Sequence, residues 1–236
     1  MGFEMEKKTI MIRLFTGVIT FLALFVFYSV IIMLRQNTKH HEVTKLGRQC
    51  KFFHDLLFGP FSEECSYEQY DRLSGYTNNT EFVLDLWNRV DRMRESALFK
   101  DLVRSGNFEY AGNLFVFAKN LPDDAPDSVI AVASRNVSPD LLQLSLSKEQ
   151  LDDPLPFQED SVAFLKDYAV VIQKNGMIYH LRRKDKRTCY CTYRTLFKNA
   201  FTVTNLPGRT VSYLTATGEI IPKGAVDASP RKSGLQ

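Results

Sequence analysis

The dominant feature in the pattern of apolar and polar positions is an uncharged run from Leu14 to Leu34, LFTGVITFLALFVFYSVIIML. Crossing a bilayer's hydrocarbon core takes about 20 apolar helical residues, so residues 14–34 predict one transmembrane helix in contact with membrane lipid. Arg13 and Arg35 bracket it where interfacial cations belong. A cleaved signal peptide fits less well. Its apolar region spans about 7–15 residues and ends on small residues, whereas this run exits through Ile32-Met33-Leu34-Arg35. Lys7, Lys8 and Arg13 precede the span, and Arg35, Lys39, Lys45 and Arg48 follow it, so the charge bias barely separates the two orientations. Large domains translocate with little regard to charge. The expected arrangement is therefore a short tail (residues 1–13) inside and the domain outside the cytoplasm, single-pass in the cell's inner membrane.

Beyond the span, a polar collar (residues 35–42, RQNTKHHE) leads into Val43, Leu46, Cys50, Phe53 and Leu57. These recur at the spacing of one helical face. Residues 35–60 thus read as collar plus amphipathic helix, stopped by Gly59-Pro60, whether the membrane helix runs on into it or breaks briefly. Residues 61–80 are loop-like. Phe82, Leu86, Val90, Met93 and Ala97 predict a second helix from about Glu81 to Val103, capped by Asn79 or Thr80 and followed by Gly106.

The period then changes. Leu114–Phe117 and Val129–Ala133 are short apolar runs separated by LPDDAPD, and each reads as a buried strand. Tyr168–Gln173 and Met177–Leu181 flank Asn175-Gly176, a dipeptide that favours a two-residue type I′ hairpin. Thr210–Thr215 and Glu219–Pro222 flank Thr217-Gly218 in the same manner, and residues 223–236 read as a disordered polar tail. The fold class is α+β: two helices, then a mostly antiparallel sheet, with residues 61–222 as the soluble domain.

Composition changes this picture little. Of 236 residues, 24% are charged and the formal net charge is only +3. A chain so nearly balanced is not built to bind polyanions, so nucleic acid is not an expected partner. There is no phosphate-binding loop, dinucleotide fingerprint or nucleophile elbow, and no cofactor, metal or catalytic residue is expected. His40 and His41 lie in the collar, His54 one step off the amphipathic face, and His180 within the second strand of the Asn-Gly hairpin. Cys50, Cys65, Cys189 and Cys191 are candidate disulfide cysteines if the domain lies outside the cytoplasm. Cys50 with Cys65 would tie the first helix to the next loop. Cys189 and Cys191 would share one face of a strand, where bridging is strained. Asn78-Asn79-Thr80 and Asn136-Val137-Ser138 match the glycosylation pattern. The one concentrated charge is Arg182, Arg183, Lys184, Lys186 and Arg187, broken by Asp185, which reads as a docking patch for an anionic lipid, polymer or acidic protein.

The layout, together with VSYLTATGEIIP (Val211–Pro222) and the stretch Phe115–Pro139, resembles pilins and the pseudopilins of type II secretion. The likeness covers the architecture over most of the chain and the sequence over a small part of it. It implies a non-enzymatic protein acting by protein–protein contact in an envelope or secretion-related assembly. In that family a peptidase cuts between a Gly and a Phe-type residue, with a Glu four residues beyond that Phe. Gly2-Phe3 offers the cut, but Lys7 stands at the Glu position, and Lys8 and Arg13 interrupt the apolar run. Two other classes remain open: an extracytoplasmic ligand-binding or sensory domain, and a membrane-tethered thiol redox protein using Cys189 and Cys191.

Overall fold

The computed structural model describes residues 2–59, 73, 75–91, 95, 113–119, 121, 124–142, 149–162, 165–197 and 211–220. Cys65, Met93, Ala97, Gly106 and the tail from 223 lie outside them. The chain divides into two compact units, residues 1–42 and 43–236.

Helix α1 spans Gly2–Leu57. No Gly or Pro stands between Leu34 and Val43, so nothing interrupts the helical ladder and the span runs on without a break. In the first unit Phe15, Phe21, Leu24, Phe25, Phe27 and Met33 are all exposed. This helix is long and apolar enough to cross a membrane. Its few hydroxyls are internally satisfied. Thr20 Oγ1 donates to the Thr16 carbonyl at 2.9 Å and Ser29 Oγ to that of Phe25 at 2.8 Å, removing the cost of polar groups in an apolar setting.

In the second unit the last turns of α1 bury Val43, Leu46, Cys50, Phe53 and Leu56. Leu57, expected on that stripe, is only half-buried, and Leu56 takes its place. Helix α2 spans Asn79–Arg89. Its cap is Asn78, one residue before the expected pair, whose side chain accepts the Glu81 N–H at 3.0 Å. The Glu81 carboxylate in turn accepts from Thr77 N–H and hydroxyl, closing the first turn reciprocally. The expected continuation to Val103 is not met. Val90 turns extended (φ −100°, ψ 108°) while its N–H still reaches the Leu86 carbonyl, and the helix closes there.

Eight strands follow: β1 Phe115–Lys119, β2 Ile130–Ser134, β3 Pro154–Pro156, β4 Tyr168–Gln173, β5 Ile178–Arg182, β6 Thr188–Thr192, β7 Ser212–Thr215 and β8 Gly218–Ile220. Six form one antiparallel sheet in the order β5-β4-β2-β1-β7-β8, and β3 pairs with β6 separately. The register places Phe115, Phe117, Val132, Val170, Ile172 and Leu214 on one face. That face receives the helices. Phe53 meets both Phe115 and Phe117 edge-on at 5.1 Å between ring centroids, and Phe82 meets Phe117 likewise. The opposite face carries Val116, Ala133, Ala169, Val171, Gln173 and Tyr213. Short helix α3 (Tyr193–Leu196) packs there, with Gln173 Nε2 donating to the Leu196 carbonyl at 2.6 Å. Both faces being covered, the central strands read as unbroken apolar runs.

The β4–β5 hairpin differs from the expected I′ turn. Gly176 has φ +81°, whereas Asn175 is not among the residues with positive φ. The Gly176 N–H bonds the Gln173 carbonyl and the Gln173 N–H bonds that of Met177. Lys174, Asn175 and Gly176 thus form a three-residue loop, a tight turn followed by a left-handed glycine. In the β7–β8 hairpin Thr215 pairs with Gly218, so Ala216 and Thr217 make the turn.

Candidate functional site

The basic run predicted from the sequence forms the connection between β5 and β6. Asp185 organises it: its carboxylate accepts the N–H groups of Arg187 (2.8 Å) and Thr188 (2.9 Å) and the Thr188 hydroxyl (2.5 Å). The Thr188 hydroxyl, foremost, and the Arg187 N–H hold that carboxyl below its usual range; the small burial cost opposes them. The sole acid of the run is thus committed to shaping the turn, although its charge still acts on Lys184.

The five bases separate into two roles. Arg183 is structural: its guanidinium pairs with Asp167 at 3.1 Å and Glu159 at 3.5 Å, and its N–H bonds the Asp167 carbonyl. Arg182, Lys184, Lys186 and Arg187 are exposed. Arg182 lies over the ring of Tyr190, 5.7 Å from its centroid, and Tyr190 is itself 64% exposed. Four cations and an aromatic ring on a short, hydrogen-bonded turn are equipped to meet an anionic surface. They contain no nucleophile–base pair.

The cysteines are placed as thiols. Cys50, Cys189 and Cys191 are free, Cys50 fully buried in the core. Cys189 and Cys191 lie on the inner side of β6, with Tyr190 between them facing out. Burial pushes the Cys189 thiol up to about 12, assisted by Cys191 and Asp185, so it is held protonated. Among the described residues no group of three His, Cys, Asp or Glu side chains is arranged to hold a metal. Both asparagines of the glycosylation triplets do structural work. Asn78 caps α2, and buried Asn136 donates to the Leu165 and Tyr168 carbonyls at 2.7 Å while accepting from Ser134. Asp152, expected to be merely solvated, makes a two-point pair with Arg194 at 2.8 and 2.9 Å.

The sequence did not single out one polar junction. His54 is 4% exposed, with Nε2 2.8 Å from the Lys174 carbonyl and Nδ1 3.1 Å from Asp55. Its main partner lies 120 residues away in sequence, and the only local signal is the neighbouring His-Asp pair. No protein-family model, curated protein or solved structure matches the chain.

Proposed function

We propose that this protein is a non-enzymatic, pseudopilin-like component of an envelope or secretion-related assembly, acting by protein–protein contact. Residues 14–34 hold it in the inner membrane, and the α+β domain lies on the extracytoplasmic side. The observation that carries the reading is the β5–β6 turn, where Arg182, Lys184, Lys186 and Arg187 are exposed and the sole local acid is spent on the turn. Cations displayed on a fixed turn favour encounter with an acidic partner and orient it. The long apolar helix followed by an antiparallel sheet agrees with the pseudopilin plan. A thiol redox role draws no support from a Cys189 that stays protonated.

The test is photo-crosslinking in native membranes from a probe at Tyr190, with and without K184E, K186E and R187E together. The expected result is a discrete protein adduct that the charge reversal abolishes. An adduct pattern indifferent to the reversal would sink the reading, as would protease access to the domain only after the membrane is opened.

A further inference from the structure

We propose that His54 is a pH-sensitive latch between the end of α1 and the β4–β5 hairpin. The argument starts from what the ring faces. Nε2 lies 2.8 Å from the Lys174 carbonyl, which can only accept. Nδ1 lies 3.1 Å from Oδ1 of Asp55, which when ionised also only accepts. A neutral imidazole has one N–H, so either tautomer leaves a lone pair against an acceptor at one end of the ring. Only the doubly protonated ring donates to both, and with 4% exposure no water is at hand to substitute.

The charged groups around it are few. From α1, Asp55 favours the proton, and Lys51, which shares the Asp55 carboxylate, opposes it. From the hairpin, Lys174 offers its carbonyl and turns its ammonium to the Ala125 carbonyl at 2.6 Å. From the loop before β2, Asp127 meets the hairpin through its backbone, accepting the Asn175 N–H at 3.3 Å. The hairpin is also the place where the fit is tightest. A Cβ on Gly176 would stand 3.3 Å from His54 Cε1 and 3.1 Å from Lys51 Nζ. The geometry therefore couples one proton to the docking of residues 174–177. The latch is closed when His54 carries two protons and relaxes as pH rises and one is lost.

Hydrogen exchange on the full chain in nanodiscs, corrected for the intrinsic pH dependence of exchange, reads this directly. The Asn175 and Gly176 amides should lose protection by roughly fivefold between about pH 5.5 and 8, while β2 amides stay unchanged. Asp55→Asn allows a neutral His54 to be satisfied at both ends, so it should remove the pH dependence and leave the hairpin protected. His54→Gln, which has no titrating group, should also be flat. Wild-type protection that does not change with pH would overturn the latch. So would a loss shared equally by β2, or a pH dependence that survives Asp55→Asn.

Discussion

Gly47 lies directly beneath the imidazole of His180: a Cβ there would stand 2.8 Å from His180 Cε1. The relationship is repeated in reverse a short distance away, where Gly176 of the hairpin receives His54 of the helix. Helix and hairpin thus each supply one glycine and one histidine to their contact.

The two glycines should respond differently to alanine. At position 47 the helix gains about 1 kcal/mol in propensity, and displacing the end of an exposed ring costs a similar amount. Gly47→Ala should therefore be near neutral. Gly176→Ala carries a side chain at φ +81° into Lys51 and His54 as well, and should cost about 1–2 kcal/mol. Urea unfolding followed through Trp87, the single tryptophan, separates the two.

Asn136 tests the polar interior. Its side chain holds the Leu165 and Tyr168 carbonyls and the Ser134 hydroxyl, and that hydroxyl in turn accepts the Val170 N–H. Asn136→Ala strands two buried carbonyls and should cost about 2–3 kcal/mol. Asn136→Ser, which keeps one donor, should recover part of the loss in the same unfolding measurement.

What the sequence disclosed follows from range. The stripe Val43, Leu46, Cys50 and Phe53 and the strands around Phe117 and Val132 were legible because burial on a helix or strand repeats with a local period. The end of α2 was not, since Phe82, Leu86 and Val90 keep the helical spacing up to the residue that leaves the helix. Asn175-Gly176 signalled a hairpin but not its loop length, because the Asn175 side chain instead accepts the Met177 N–H and leaves only Gly176 left-handed. Of the basic run, sequence marked all five residues alike. Only the fold reveals that Arg183 belongs to Asp167 and Glu159, because those acids arrive from the preceding loop. The His54 junction depends on a backbone carbonyl, which no residue type announces.

Acid should loosen the loop that Asp160 secures. Burial disfavours the charged carboxylate, but hydrogen bonds from Arg135 and the Val162 N–H, with the guanidinium's charge, outweigh it and keep the carboxyl below its usual range. A carboxyl lowered in the folded state adds stability that is complete above the unfolded value and is lost as pH falls through the folded one. Wild type should therefore lose more stability than Asp160→Asn on going from about pH 6 to pH 3. At neutral pH the variant should be weaker by about 1 kcal/mol. Urea midpoints at the two pH values give both comparisons.

Shape and charge in the β5–β6 turn are separable. Asp185→Ala keeps all five bases but removes the acceptor of three turn hydrogen bonds. It should cost about 1–2 kcal/mol and raise hydrogen exchange at Arg187 and Thr188. Lys186→Glu with Arg187→Glu alters exposed side chains only, and stability should stay within about 0.5 kcal/mol. If the turn docks by charge on a fixed frame, the double reversal should abolish the Tyr190 crosslink, and wild-type crosslinking should fall steeply with salt. Asp185→Ala should retain the salt dependence but blur the set of crosslinked positions, because the cations remain while their frame is loosened. Equal loss in both variants with no effect of salt would instead assign the contact to the exposed Tyr190 ring and the shape of the turn.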